Sequence, residues 1–195
     1  MSDFKIIGEI GESLKRIILS DPWEGISKPE KKDIVFQSPK EIAGENQISI
    51  FLFQIMRNSY LTNQDANQDT PDTLQSPPLV LDLYYLITPY FTEKSQEKFI
   101  LGKIMQIFHD HPVIEGPDFS DSFAGTNMKL QIILHSLSLD DLGKLWTSFH
   151  DAPLRLSVCY LVTPVRIDST QKVPIQRVVV KETDHYQTVP KKEVS

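Results

Sequence analysis

The chain has 195 residues, of which 40% are hydrophobic and 24% are charged, and its formal net charge is -6. This composition suits one globular domain with a sizeable core, and a negative chain without a large Lys/Arg cluster is poorly matched to nucleic-acid phosphates. The one cysteine, Cys159, excludes an intramolecular disulfide and a cysteine-based metal site. Its apolar neighbours predict a core position in a strand.

The amino-terminal segment mixes charged and apolar residues and lacks the unbroken apolar run of a signal peptide or membrane span. We therefore expect synthesis and folding in the cytoplasm, with no membrane insertion. Apolar residues then recur at helical spacing up to Asp21-Pro22, which predicts a first helix with Ser2 or Asp3 as its cap. The stripe comprises Phe4, Ile7, Gly11, Leu14 and Ile18.

The next segments predict strands separated by a polar loop. Residues 34–36 form a short apolar run. Residues 47–56 are apolar on both alternating faces between Ile50 and Phe53, which is typical of a strand covered on both sides near the centre of a sheet. Residues 62–76 are almost entirely polar and are expected to form a mobile surface loop. Residues 79–87 alternate apolar and polar side chains, and Pro89 is expected to close this strand.

A second helix is predicted from a cap at Thr92 to the His111-Pro112 stop, with an apolar stripe from Ile100 to Phe108. Residues 113–126 are expected to be loop, and residues 128–134 a strand. Ser138 and Asp141 have the spacing of a capping box that begins a third helix. A final strand is expected from Leu154 to Val162. These elements predict an α+β fold, in which a mixed, mainly antiparallel sheet packs against two or three helices and is followed by an extended C-terminal arm.

One short pattern occurs twice. Tyr85-Leu-Ile-Thr-Pro89 and Tyr160-Leu-Val-Thr-Pro164 are both expected to end strands. Because the flanking elements occur in a different order, we interpret the pair as reused strand-ending chemistry and not as a duplicated domain.

No residue pattern indicates catalysis or a cofactor. His109-Asp110-His111 could be a metal or acid-base cluster, but residues two apart on a helix point in different directions, and Pro112 predicts a polar helix end. Asp140-Asp141 is better explained as helix capping. No serine lies in a nucleophile elbow and no glycine-rich phosphate loop occurs. Trp146 and the Tyr84-Tyr85 pair are interpreted as core aromatics, and Gly8 and Gly11 as sites of close helix packing.

The character of the chain changes after Asp168. We expect a body at residues 1–168 and an arm at residues 169–195. The arm contains one β-prone run, Ile175-Gln176-Arg177-Val178-Val179-Val180, between polar stretches. An isolated strand does not fold alone, so this run must add to the sheet of its own chain or to that of a neighbour.

Four segments together resemble a known family. They are ISIFLFQIMRN (48–58), PPLVLDLYYLITPY (77–90), ILGKIMQIFHDHPVI (100–114) and LSLDDLGKLWTSFHDAPLRLSVCYLVTPVRID (137–168). In this order they are similar to the cap, or tail-terminator, proteins of phage-tail-like extracellular contractile injection systems, such as the Photorhabdus virulence cassette and the antifeeding prophage. The resemblance covers roughly residues 4–168.

The resemblance implies a structural, non-enzymatic protein that forms a homohexameric ring. The ring would terminate the inner tube and engage the last sheath ring, in a particle that is assembled in the cytoplasm and either released or cell-associated. It implies tube and sheath proteins as partners, and neither nucleic acid nor a cofactor. We assign partner contacts to residues 175–180 of the arm, and to Arg57 and Asn58 after the second predicted strand.

Two alternatives stay open on the sequence. One is a head–tail completion protein of a contractile phage, which genomic neighbours encoding a capsid would indicate. The other is a small enzyme or ligand-binding domain with a metal near His109 and His111.

Overall fold

A computed structural model of the protein describes residues 4–61, 67–70, 73–119, 123, 127–150 and 152–174. The predicted α+β class is confirmed: a six-stranded sheet carries two helices on one face and a third on the other. In chain order the elements are α1 (Ile6–Ser20), β1 (Ile34–Val35), β2 (Gln47–Arg57), β3 (Asn67–Thr70), β4 (Thr73–Gln75), β5 (Leu79–Tyr90), α2 (Lys94–Asp110), β6 (Val113–Glu115), β7 (Lys129–His135), α3 (Leu139–Ser148), β8 (Val158–Ile167) and β9 (Lys172–Pro174).

The large sheet has the strand order β1-β2-β5-β8-β7-β6. Among the described strands, β1 and β2 pair in parallel and all other neighbours pair antiparallel. A second, small sheet has the order β3-β4-β9. The long strands β5 and β8 therefore lie at the centre, where most of their residues are covered on both faces.

We call the main hydrophobic cluster, which α1 and α2 cover, the helix-side core. The predicted apolar stripes enter it in part, because residues three and four apart share a helix face: Leu14 and Ile18 of α1 and Ile100, Leu101, Ile104, Ile107 and Phe108 of α2 are buried in it. Phe4, the first residue of the predicted stripe of α1, lies before the helix with 69% of its surface exposed, and Ile7 is only partly buried. The N-cap residue of α1 is Lys5, so the predicted cap at Ser2 or Asp3, which lie outside the described residues, is wrong. Gly11 allows a close approach: a Cβ there would lie 3.1 Å from Cε1 of Phe36, whereas a Cβ at Gly8 would meet nothing within 4 Å. The expected packing role is therefore confirmed for Gly11 alone.

The opposite face of the sheet carries a smaller cluster, which we call the second core. It consists of Leu86 from β5 with Trp146 and Phe149 from α3 and its end. The ring of Phe149 meets that of Phe51 edge-on, with the centroids 5.8 Å apart. The predicted cap of α3 is confirmed, because the Asp141 N–H donates to Ser138 Oγ at 3.1 Å.

The predicted cap of α2 is wrong. Glu93 is the N-cap residue, without a side-chain hydrogen bond to the helix. Thr92 Oγ1 instead donates to Glu45 Oε2 at 2.9 Å. This hydrogen bond connects the residues before α2 to the loop before β2. Thr92 is one residue too early to reach the free amides of the first helical turn.

Several predicted loops and strand limits are also wrong. The polar stretch 62–76 contains β3 and β4, and residues 113–115 form β6 at the edge of the large sheet. These three strands are short, so an alternation of apolar and polar residues does not predict them. The last long strand begins at Val158, and Leu154 and Leu156 lie before it with 61% and 50% of their surface exposed.

The repeated pattern does not end strands. Both copies lie inside them, and Tyr85 of β5 stands directly opposite Tyr160 of β8 in antiparallel register. Tyr85 and Tyr160 thus meet at the centre of the sheet, and from this pair the two copies run in opposite directions, so that no other residues of the two copies are paired with each other. Proline is tolerated at Pro89 because it is the penultimate residue of β5.

Candidate assembly surface

The start of the C-terminal arm is part of the folded body. In β9, Lys172 pairs with Gln75 and Pro174 with Thr73. The Ser76 N–H also donates to the Gln171 carbonyl at 3.0 Å. Residues 169–174 are therefore attached to the segment before β5. The division into a body at residues 1–168 and an arm at residues 169–195 stays a prediction.

The direction of β9 determines where the chain goes next. The end of β8 pairs with the start of β5, Ile167 opposite Leu79. From there each residue of β9 moves along β4 toward Thr73, which is further from β5. At Pro174 the chain is heading away from the large sheet. Residues 175–180, to which we assigned partner contacts, lie outside the described residues.

Arg57 and Asn58, the other assigned residues, have very different surroundings. Arg57 is exposed at the end of β2. Asn58 is buried, and its Nδ2 donates to Asp82 Oδ1 at 2.9 Å and to Thr163 Oγ1 at 3.3 Å. Its Oδ1 accepts the backbone N–H groups of Tyr60 and Leu61. Asn58 therefore shapes the turn after β2, and a partner contact there stays a prediction.

The outer edge of β2 is the longest unpaired strand edge in the part of the chain that the structure describes. The short β1 pairs only with Ile48 and Ser49. Beyond them β2 pairs on one side only, with β5. We call residues 51–57 the open edge. Its sequence is FLFQIMR, residues 51–53 are half-buried and residues 54–57 are exposed.

Apolar side chains are exposed at the same end of the sheet. Ile55 and Met56 expose 46% and 47% of their surface, Leu79 exposes 46% and Tyr60 exposes 94%. Ile55 stands opposite Leu83 and Met56 opposite Asp82 on β5, so the two side chains lie on opposite faces of the sheet. An exposed apolar strand edge is an unusual liability for a soluble domain and a common feature of a binding edge.

A cleft of 570 Å³ lies at the opposite end of the sheet, between the loop before β2 and the segment before β8. Arg155 lines it, and the Arg155 guanidinium carbon lies 4.7 Å from the centre of the Tyr90 ring. Burial raises the pKa of the Tyr90 hydroxyl to about 12. Below the cleft, the buried Glu97 accepts from both Arg155 and Lys94. These contacts connect three elements and form no acid-base pair with a nucleophile.

The histidines near the end of α2 do not form a metal centre. His111 is the C-cap residue, and its Nε2 lies 3.4 Å from Asp21 Oδ2, which also marks the end of α1. Lys103 Nζ lies 2.8 Å from the other oxygen of Asp21. Over the described residues, no group of three or more potential metal ligands comes together. His109 borders an apolar groove with Leu134 and Phe108.

The remaining candidates occupy structural positions. Asp140 and Asp141 lie in the first turn of α3, as predicted, and Asp140 pairs with Lys144 at 2.5 Å. Trp146 and Tyr85 are core residues, also as predicted. Tyr84 is half-buried and meets His135 edge-on, with ring centroids 5.0 Å apart. In the described part of the chain, no helix is long and apolar enough to cross a bilayer.

Comparison with known proteins identifies the family of the chain. The family model described as Pvc16 N-terminal domain matches residues 8–181. The chain belongs to this family. The match runs beyond residue 168, so it includes the β-prone segment at residues 175–180. A comparison with curated proteins finds no match.

Two solved structures share the fold. One is the sheath/tube terminator of the PVC extracellular contractile injection system in its extended state, with a TM-score of 0.68 and 18% identity over 97% of this chain. The other is the tube-terminating cap of the anti-feeding prophage, with a TM-score of 0.59 and 18% identity over 94% of this chain. The chain spans 66% and 62% of the length of these two proteins.

The sequence missed the open edge for a physical reason. Apolar residues on both faces of β2 predict cover on both sides, but only Ile48 to Ile50 are buried, whereas residues 51–53 are half-buried and residues 54–57 are exposed. A hydropathy pattern does not separate burial inside one chain from burial against another.

Proposed function

We propose that this protein is a structural cap that terminates the inner tube of a contractile injection particle, without catalysis. The observation that carries the proposal is the fold shared with the PVC sheath/tube terminator over 97% of this chain. The likeness to a second tube-terminating cap supports it. Both relatives belong to injection systems, which favours this role over head–tail completion in a phage.

In the proposed assembly six copies form a closed ring on the last ring of tube and engage the last ring of sheath. A head-to-tail ring uses two different surfaces of each copy, so every subunit needs both a donor and an acceptor surface. The open edge and the chain leaving β9 are two such surfaces. Assembly takes place in the cytoplasm, and the finished particle contains the ring.

The arm is the proposed partner-binding element of this assembly. Residues 1–168 form the body, and residues 169–195 the arm, of which residues 169–174 are attached to the body through β9. Residues 175–180 bind a neighbouring subunit or the sheath by adding a strand to an open sheet edge. Arg57, exposed at the end of the open edge, is placed to contact the same partner, and Asn58 holds the turn beside it.

Electron microscopy of tube polymerisation tests the function. The purified chain is mixed with tube subunits encoded beside its gene, and we expect rings at tube ends and shorter tubes. A matched chain that ends at residue 174 keeps β9 and should still fold, with native circular dichroism, while binding sheath less well. Decoration along the tube sides, or tubes of unchanged length without end rings, would contradict the cap proposal.

A further inference from the structure

The open edge has few of the features with which natural proteins protect a strand edge. Residues 51–57 contain no proline and no lysine, and the one charge, Arg57, stands at the end. The register shift between Leu52 and Gln54 leaves Phe53 as an extra residue in β2, which is the one bulge in this stretch. Charges, prolines, bulges and short length are the usual defences against adding another strand. The exposed residues 54–57 follow the bulge and keep regular pairing with β5, so the edge is suited to receive a strand.

The length of the open edge matches that of the β-prone run. At ~3.3 Å per residue, residues 51–57 extend over about 23 Å and a six-residue strand over about 20 Å. The opposite side of the large sheet, formed by β7 and β6, offers a shorter free stretch. There β6 covers β7 as far as Gln131, and the Ile132 N–H donates to the Pro112 carbonyl at 2.7 Å. This leaves residues 133–135, which offer too few backbone groups for a six-residue partner.

The direction of β9 argues that the donor comes from a second copy of the chain. Pro174 pairs with Thr73, the residue of β4 furthest from β5, and the chain there is moving away from the large sheet. Residues 175–180 follow immediately, with no intervening segment that could turn back. To reach the open edge of its own chain, the strand would have to reverse its direction at once, whereas a neighbour requires no reversal.

We propose that residues 175–180 of one copy pair with the open edge, residues 51–57 of β2, in the next copy around the ring. The inference rests on the proposed function and specifies its subunit contact. Ile175, Val178, Val179 and Val180 are β-branched and suit an added strand. Because donor and acceptor are different surfaces, the same contact repeats from copy to copy and closes when the last copy meets the first.

Disulfide trapping between singly substituted chains tests the pairing. One purified chain carries Ile55→Cys in the open edge. A second carries one of four donor substitutions: Arg177→Cys, Val178→Cys, Val179→Cys or Val180→Cys. Each donor chain is mixed with the Ile55→Cys chain and oxidised. Because strand side chains alternate between faces, every second donor position should give a cross-linked dimer and the positions between them should give none. A disulfide requires Cα atoms within about 7 Å, so the readout is local.

Matched controls make the outcome decisive. Phe99→Cys is 62% exposed and lies on α2, outside the open edge, so we expect no cross-link with any donor. The unsubstituted chain measures any background from the buried Cys159. The pairing is overturned by equal cross-linking at all four donors, by equal cross-linking to Phe99→Cys, or by no dimer. It is also overturned if a chain with both Ile55→Cys and a donor cysteine cross-links only within itself.

A proline substitution gives an independent test. Val179→Pro removes a backbone N–H from the added strand and should abolish the cross-link at the productive donors. Gln187→Pro, beyond the segment, should leave it unchanged. Tube capping is scored separately by microscopy. If tubes are capped but no cross-link forms, this pairing is rejected and the cap function stands. If the cross-link forms but tubes are not capped, the cap function is rejected and the pairing stands.

Discussion

Arg155 Nη1 lies 2.7 Å from Oε1 of Glu97 and connects the segment before β8 to the first turns of α2. The Glu97 side chain is only 6% exposed, whereas that of Arg155 is 27% exposed. A buried carboxylate is stable when charged partners surround it, and Lys94 Nζ supplies a second one at 2.8 Å. The pair therefore connects the start of α2 to the segment before β8.

Removal of Arg155 should destabilise the fold. We expect Arg155→Ala to lower the free energy of unfolding by about 2–3 kcal/mol, because it leaves the Glu97 carboxylate with Lys94 as its one charged partner, beside a long hydrogen bond from the Phe91 N–H at 3.4 Å. Urea denaturation measures the change. Lys94→Ala is the control, since the Lys94 side chain is 67% exposed, and we expect a loss below about 1 kcal/mol. Equal losses for the two variants would refute a special role for Arg155.

Truncation in the second core should be costly despite its small size. Leu86 is fully buried between β5 and α3, so Leu86→Ala should lower the free energy of unfolding by about 3 kcal/mol. Leu139→Ala, at the start of α3 with 81% of its surface exposed, should change it by no more than about 0.5 kcal/mol. Thermal denaturation followed by circular dichroism compares them. A mild effect at Leu86 would mean that α3 contributes little to the fold of the free chain.

The single thiol should be unreactive in the folded protein. Burial raises the pKa of Cys159 to about 12, and the thiolate is the reactive form. We expect a thiol-specific chromogenic reagent to modify Cys159 slowly near neutral pH and rapidly in denaturant. Rapid modification of the native chain would show that β8 opens frequently.

Stability should fall in alkaline solution. Burial raises the pKa of Tyr90, Tyr160 and Cys159 to about 12, from ordinary values of 10.0, 10.0 and 9.0, and also raises that of Tyr85. Between pH 9 and 12 the unfolded chain loses protons that the folded chain keeps, so the unfolded state is favoured as the pH rises. This contribution to stability is fully present below pH 9.

Urea midpoints at about pH 8 and about pH 11 measure this decline. Tyr160→Phe keeps the ring that packs edge-on against Phe108 and removes the titrating hydroxyl. The decline should therefore be shallower in this variant. An identical pH dependence in the two proteins would contradict the contribution of Tyr160.

The sequence predicted the long elements well because their side-chain patterns are dictated by burial inside one chain. The buried residues of α1 and α2 recur at helical spacing because they share one helix face. The Ser138 cap depends on a hydrogen bond to a residue three positions later in the sequence. The repeated Tyr-Leu-x-Thr-Pro pattern was misinterpreted because its partner lies far away in the chain. Tyr85 and Tyr160 meet only when β5 and β8 pair, and a proline near a strand end suggested termination.

The short strands could not be predicted from alternation. β3, β4 and β9 are three or four residues long and lie in polar stretches, so their sequences show no sustained alternation of apolar and polar residues. Of the two contact residues assigned after β2, only one is exposed. Arg57 is exposed as expected, whereas Asn58 makes its contacts within the chain, because an asparagine after a strand serves a turn as readily as a partner.

The two faces of the sheet carry one tryptophan each, so intrinsic fluorescence can report on each face of the sheet. Trp23 packs against the helix-side core, and its indole N–H donates to the Ile18 carbonyl at 3.0 Å. Trp146 lies in the second core. These are the two indoles of the chain. Fluorescence from Trp23→Phe and Trp146→Phe chains would therefore follow the two layers separately, and coincident transitions would identify a single cooperative unit.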